Sequence, residues 1–184
     1  MKSSLLFVAL AALAVLLFFG LFFAASGTLT SQSKAPATSA PDSELIGARA
    51  PYIDLPDTSG NHVRLDDFAG MPLVVVFWST WNADASDQIH ILDQFLSSGS
   101  ADSKLVKVIA IDSQEDRSVV ASFMRRGGYQ VPVLVDAQGA VSDAYGIKSL
   151  PTAYFIGRDG VIRDVHAGVL SGKSLVDNVE SLIQ

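Results

Sequence analysis

The segment LVVVFWSTWNADASDQIHILDQFL, residues 73–96, decides the fold class. Its first six residues, LVVVFW, are apolar at every position, which is typical of a strand that is covered on both faces. Apolar residues then recur at helical spacing from residue 84 to residue 96. A buried strand that runs directly into a helix indicates an α/β fold.

The segments on either side continue the alternation of strands and helices. Upstream, two short apolar runs flank Ser59-Gly60-Asn61, which predicts a hairpin of residues 52–55 and 62–65. Gly127 and Gly128 predict the end of a helix, and Ser171 is placed to cap the last one. The other predicted elements are strands at 105–111 and 131–135, helices at 117–126 and 141–145, a hairpin of 152–156 and 161–165, and a helix with its apolar face along 175–183. Together they predict a central mixed sheet flanked by helices.

The N-terminal part of the chain is apolar in a different way. Residues 5–25 are uncharged and mostly bulky, and at about 1.5 Å per residue a helix of this length crosses a hydrocarbon core of roughly 30 Å. A signal peptide is the competing interpretation, although its apolar region usually runs about 7–15 residues. Lys2 and the terminal amine favour a cytoplasmic position for residues 1–4. We therefore predict a single-pass anchor in a bacterial inner membrane, with the domain facing the periplasm.

A linker follows the predicted anchor. Residues 26–45 are dominated by Ser, Thr, Ala and Pro, so they cannot bury enough apolar surface to offset the entropy of ordering them. We predict that they form a disordered tether between the membrane and one folded domain, residues 46–184.

Charge and composition exclude several classes of function. The net charge is −6, whereas nucleic-acid binding requires a basic face. The 184 residues include no cysteine, which excludes disulfides, thiolate metal sites and thiol catalysis. The three histidines, His62, His90 and His166, fall on separate predicted elements, while a metal site needs about three or four convergent ligands. We expect no metal, no cofactor and no nucleic-acid partner.

The acidic residues in the middle of the chain are predicted to have structural roles. Asp84 and Asp87 lie near a helix start, where the helix dipole keeps carboxylates ionised and so disfavours a general acid. Asp112 and residues 113–116 are predicted to form a loop and a helix entry after the second central strand, because the run lacks phosphate-binding glycines. Trp78 ends the buried strand and is predicted to belong to the core.

Two stretches carry a resemblance to a known family. IGARAPYIDLPDTSGNHVRLDDFAGMPLVVVFWSTW (46–81) and YGIKSLPTAYFIGRDGVI (145–162) resemble the membrane-anchored thioredoxin-like proteins of the TlpA and ResA type, within the wider redoxin or AhpC/TSA-like superfamily. The resemblance covers about residues 46–184 and implies a thioredoxin-like fold. It also implies that Leu150-Pro151-Thr152 stands where thioredoxins hold a cis-proline, and that Trp81 is partly exposed beside the active site.

The residues on which that family's chemistry depends are missing. The resemblance places the two active-site cysteines at Asn82 and Ala85, and a proton-accepting carboxylate at Val76. The replacements suit an ordinary helix start instead, since Asn82 is a good N-cap and Ala85 a good helix former. We predict no catalytic residue, and so no thiol–disulfide oxidoreductase activity of the isolated chain.

Three hypotheses about function remain open at this point. In relatives, the residue before the cis-proline offers backbone hydrogen bonds to an extended chain, a mode that needs no thiol. The first hypothesis is a redox-inactive module that binds an envelope protein or peptide through a groove of Trp81, Asn82, Leu150, Pro151 and Thr152. The second is a family member that acts in envelope redox chemistry or cytochrome c maturation only with a partner's cysteines. The third is a structural domain whose groove is vestigial.

Overall fold

The computed structural model describes residues 43–184. The predicted cytoplasmic segment and the predicted anchor (residues 1–25), together with most of the predicted linker, lie outside the described residues. Within the described part, none of the helices is both long and apolar enough to cross a bilayer.

Seven strands form two sheets in the described part of the chain. A five-stranded sheet has the order β5-β4-β3-β6-β7, and β1 pairs with β2 in a separate hairpin. In the larger sheet β3, β4 and β5 are parallel, whereas β6 and β7 are antiparallel additions, so the sheet is mixed as predicted. The strands are β1 (Asp54–Pro56), β2 (His62–Arg64), β3 (Leu73–Trp78), β4 (Lys107–Ser113), β5 (Val133–Asp136), β6 (Thr152–Ile156) and β7 (Ile162–Ala167).

Five α-helices lie between or after the strands in residues 43–184. They are α1 (Ala85–Ser97), α2 (Ala101–Leu105), α3 (Arg117–Gly127), α4 (Ala140–Ala144) and α5 (Gly172–Ile183). Gly128 ends α3 with a φ of 69°, and the Ser171 side chain accepts the Ser174 N–H at the start of α5. Both predicted helix boundaries are therefore confirmed. Short 3-10 turns occur at Ser43–Leu45 and Leu65–Phe68.

The two cores are built from alternate residues of the same strands. On β3, Val76 and Trp78 pack among side chains of α1, α3 and α5, whereas Val75 and Phe77 pack toward the β1–β2 hairpin and α4. Successive side chains of a strand point to opposite faces, so a strand that is covered on both sides must be apolar throughout. Trp78 is 1% exposed, which confirms its predicted place in the core.

Both edges of the five-stranded sheet are partly covered by the preceding chain. Asp57, which follows β1, forms an isolated antiparallel bridge with Leu134 of the edge strand β5. At the opposite edge, Arg49 bridges Val161, just before β7. The hairpin and the segment that enters the domain thus close the ends of the sheet.

Two predictions about the middle of the chain were wrong. The second central strand was predicted at residues 105–111, with Asp112 in the following loop; β4 instead runs through Asp112 to Ser113, and both are buried. Leu105 ends α2, a short helix that the sequence pattern did not predict and that Ser100 caps through the Ser103 N–H. The strand continues past Ile111 because its ladder with β5 extends to Ser113.

Candidate functional site

The candidate site lies where β3 ends and α1 begins. The antiparallel pairing of Phe77 with Thr152 brings the start of β6 to this end of the sheet. The Leu150–Pro151 peptide bond is cis, as the resemblance implied. Trp81 is 68% exposed, also as expected. The topology therefore joins the two segments that the sequence analysis assigned to one groove.

Asn82 links these two segments through its side chain. Its Oδ1 accepts the Asp84 N–H at 2.8 Å, and its Nδ2 donates to the Leu150 carbonyl at 2.9 Å. Asn82 was predicted to be the N-cap, but α1 begins at Ala85 with Asp84 in the cap position. Asn82 instead closes a turn before the helix, since its carbonyl accepts the Ala85 N–H. The residue at the lost nucleophile position thus bridges α1 to the cis-proline segment.

Removing the Asn82 side chain is expected to destabilise the domain. Asn82→Ala loses both bonds, and a net contribution near 1 kcal/mol per bond gives a loss of about 1–2 kcal/mol in the free energy of unfolding. Asn82→Asp is the matched control, because it keeps the acceptor for Asp84 but cannot donate to Leu150. Urea unfolding of the wild type, Asn82→Ala and Asn82→Asp at neutral pH measures the free energy of unfolding that each substitution removes. An Asn82→Ala chain as stable as the wild type would show that the bridge contributes nothing.

The other groove residues differ in how far their side chains are exposed to solvent. Pro151 and Thr152 are buried, and Thr152 Oγ1 donates to the Ser149 carbonyl at 2.9 Å, so both shape the groove from beneath. Leu150 is half-buried, and its N–H has no hydrogen-bond partner within residues 43–184. Val169, 36% exposed, follows Gly168, whose N–H donates to the Pro151 carbonyl. The exposed surface therefore combines the apolar Trp81 and Leu150 with polar neighbours such as Lys148 and Ser149, and one backbone donor is available.

A buried carboxyl group lies next to the site, on a strand where it was not expected. Val76, the position implied for a proton acceptor, is a buried residue paired with Ala110 and Ala153. Asp112 of β4 lies opposite Trp78 instead and is 0% exposed. Burial, and then the neighbouring Glu115 carboxyl, raise the pKa of Asp112 to about 8. The signal for it was an acid that directly follows an apolar strand.

Glu115 holds the segment between β3 and Trp81. Its carboxylate accepts hydrogen bonds from Ser79 Oγ (2.7 Å), Thr80 Oγ1 (2.7 Å) and the Thr80 N–H. Burial acts to raise the pKa of Glu115, but bonds from Thr80, Asp112 and Ser79 outweigh it and hold the pKa below its usual value. Glu115 lies in the predicted loop between β4 and α3, but its hydrogen bonds to Ser79 and Thr80 were not predicted.

Comparison with known proteins identifies the family. The family model described as "AhpC/TSA family" matches residues 46–165, more than half of the chain. The chain belongs to the AhpC/TSA family. This agrees with the resemblance noted in the sequence.

Individual relatives of this AhpC/TSA chain are thiol–disulfide proteins by name. "Thiol-disulfide oxidoreductase ResA" of Bacillus subtilis is 29% identical over 142 residues, covering 75% of both chains. ResA of Geobacillus thermodenitrificans is 26% identical over 137 residues, which is 74% of this chain and 78% of the relative.

Solved structures share the fold. A putative thiol:disulfide interchange protein DsbE from Chlorobium tepidum superimposes with a TM-score of 0.68 at 23% identity, covering 76% of this chain and 98% of the other. StoA of Bacillus subtilis gives a TM-score of 0.62 at 17% identity, covering 70% and 96%. The predicted thioredoxin-like α/β fold is thereby confirmed for the described domain.

The AhpC/TSA site of this chain lacks the groups for thiol exchange. An amide at position 82 and a methyl group at position 85 cannot form a thiolate, and the chain has no cysteine elsewhere. The histidines do not replace them: His62 pairs with Asp54 at 2.7 Å and His90 is exposed on α1. Within residues 43–184, no group of three His, Cys, Asp or Glu side chains is arranged to hold a metal. The site offers contact surface and hydrogen bonds rather than a nucleophile.

Proposed function

We propose that this AhpC/TSA chain is a redox-inactive, membrane-tethered binding module. It recognises a peptide or protein partner in the bacterial envelope through the groove of Trp81, Asn82, Leu150, Pro151 and Thr152, on the periplasmic side. The observation that carries the proposal is the 68% exposure of Trp81 beside the cis Leu150–Pro151 bond. Residues 5–25 supply the anchor and residues 26–45 the tether.

The exposed side chains support a protein partner. The exposed Trp81 and the half-buried Leu150 line the same surface depression. Tryptophan is among the residues that contribute most to protein interfaces, because a large apolar area is buried at a small entropy cost. The available Leu150 N–H can donate to the backbone of an extended partner segment, as in strand addition.

The Asn82 bridge limits how such a segment binds. An added strand normally exchanges bonds with both the N–H and the carbonyl of the residue that it pairs with. Here the Leu150 carbonyl already accepts Asn82 Nδ2 at 2.9 Å. Binding by this groove therefore relies more on apolar contact with Trp81 and Leu150, and less on main-chain hydrogen bonds, than binding at an open strand edge.

Photo-crosslinking in intact cells tests the proposal. The reactive residue belongs at Ser149, which is exposed beside Leu150, because the side chain of Thr152 is buried. We expect a discrete adduct from Ser149 and none from Arg125 on α3. Trp81→Glu should abolish the adduct, since loss of a central tryptophan typically costs about 2 kcal/mol or more, roughly thirtyfold in Kd.

The matched control is Val119→Glu, which introduces the same charge at another exposed apolar residue, 44% exposed on α3. An adduct that survives Trp81→Glu, or no adduct from an abundant folded chain, contradicts the groove and favours a structural domain. If a partner with cysteines is captured, a thiol–disulfide assay on that partner with and without this chain tests whether the chain also alters its chemistry.

A further inference from the structure

The buried Asp112 carboxyl has no cationic partner within residues 43–184 that would stabilise its ionised form. It is 0% exposed, and neither of its oxygens accepts a hydrogen bond from a donor in the described domain, so the Glu115 carboxyl is the polar side chain left to share a proton with it. The charged groups that act on it, Glu115 from the loop after β4 and Asp136 at the end of β5, are both acidic and both disfavour its ionisation. Asp136 is already engaged, because its Oδ2 accepts the Ser142 N–H and hydroxyl.

A proton resolves this arrangement. The nearby Thr80 N–H is already bonded to Glu115, so two ionised carboxylates would lack a donor of their own, whereas a protonated Asp112 can donate to the Glu115 carboxylate. Glu115 is a neighbour of Asp112, because Asp112 pairs with Trp78 and Glu115 bonds the next two residues, Ser79 and Thr80. These donors favour the ionised form of Glu115. With one proton between them, the two carboxyl groups have a donor for the bond that joins them. With no proton, they lack that donor.

We propose that Asp112 and Glu115 form a one-proton site that latches the segment from Ser79 to Trp81, so that this segment is held when the proton is bound and released when it is lost. The inference rests on the proposed function for its purpose, since the latched segment carries the Trp81 contact surface. The proton site itself is a property of the free chain.

The contacts show why loss of the proton opens the segment. Glu115 is the direct link, through its three bonds to Ser79 and Thr80. Ionised Asp112 would lie unpaired against Glu115 in a water-excluded position, which is costly. Outward movement of Glu115 and the bonded segment would let water hydrate the ionised Asp112. The bonds from Ser79 and Thr80 to Glu115 thus hold the segment in place, whereas the free-energy cost of a buried charge on Asp112 favours its release.

Hydrogen exchange of the free full-length chain tests the latch without any partner. The Thr80 N–H has Glu115 as its acceptor, so its exchange reports the latch directly. Exchange in residues 79–82 is followed by mass spectrometry in wild type and in Asp112→Asn, whose amide supplies a permanent donor to Glu115. Because both chains share the same intrinsic chemistry, their ratio at one pH isolates the latch.

We expect equal exchange at pH 6.5 and roughly tenfold or faster exchange in wild type at pH 9, because the raised pKa of Asp112 lies between these values. Equal exchange of the two chains at pH 9 would overturn the proposal. Glu115→Gln is a second variant. It weakens the latch at both pH values, so its exchange relative to the intrinsic rate should be the same at pH 6.5 and at pH 9. A Glu115→Gln chain that keeps the wild-type pH response would equally overturn it. Neither result depends on the crosslinking at Ser149.

Discussion

Cysteines placed at positions 82 and 85 should convert this cysteine-less chain into one that reduces disulfides. The Asn82→Cys/Ala85→Cys chain is expected to catalyse reduction of a protein disulfide by a dithiol roughly tenfold or more above the reductant alone, because a thiolate at a helix N-terminus is stabilised and attacks readily. The wild type, with no cysteine, should add nothing to the uncatalysed rate. Reduction of insulin, followed by turbidity, measures both.

The local backbone is suited to this change. The Ala85 N–H donates to the Asn82 carbonyl at 3.1 Å, so the two positions are joined by one tight turn at the start of the 13-residue helix α1. Substitution at position 82 also removes the Nδ2 bond and leaves the Leu150 carbonyl free for a substrate backbone. Trp81 and the cis-proline segment are retained.

Two controls separate restored chemistry from added thiols. Asn82→Ser/Ala85→Ser matches the size of the cysteines and should stay inactive. The single Asn82→Cys chain should form mixed disulfides without turnover, since it has no second thiol to resolve them. If a folded double-cysteine chain fails to form its internal disulfide on oxidation, then the site lacks more for thiol chemistry than its two cysteine side chains.

Asp112→Asn should stabilise the domain at alkaline pH. The pKa of Asp112 is raised from 3.8 to about 8 in the folded chain, so the folded state prefers the protonated form. Between these two values the unfolded chain is ionised while the folded chain keeps its proton, and stability therefore falls as pH rises from about 4 to about 8. The slope for one such group is about 1.4 kcal/mol per pH unit.

Asn carries no charge and removes this penalty. We expect Asp112→Asn to raise the free energy of unfolding by about 5 kcal/mol at pH 8, with little effect near pH 4. Glu115 changes stability with pH in the opposite direction. Its pKa is lowered in the folded chain, so it adds stability that is lost as pH falls through its titration range. Urea unfolding of wild type and Asp112→Asn from pH 4 to pH 8.5 measures the difference, and two parallel curves would refute the assignment.

The main elements of the fold were predictable because local patterns and burial agree in them. Every residue of LVVVFW is apolar since β3 is covered on both faces, and Gly128 and Ser171 end and begin helices by local geometry. The short helix α2 was missed because it has no buried residue and hence no apolar face. Its formation depends on the Ser100 cap rather than on a pattern.

The site was predictable only where it inherits a family position. The family resemblance implied that Trp81, Asn82 and Leu150 would meet, but not that Asn82 Nδ2 would reach the Leu150 carbonyl across the fold. Asp112 and Glu115 were predicted to lie in a loop and helix entry, because the run after the strand lacks phosphate-binding glycines. Their importance arises from the register of β4 against β3, which places Asp112 opposite Trp78, and a single strand does not reveal its register.

The partly covered sheet edges have a consequence for the chain in a crowded cell. An open edge strand can recruit the edge of a second molecule, and tethering to a surface would raise the frequency of such encounters. Here β5 is only four residues long and is bridged at Leu134, while β7 carries Arg163 and Asp164 in its interior. These features disfavour strand-to-strand aggregation between neighbouring copies, so the domain can be held at high local density without polymerising.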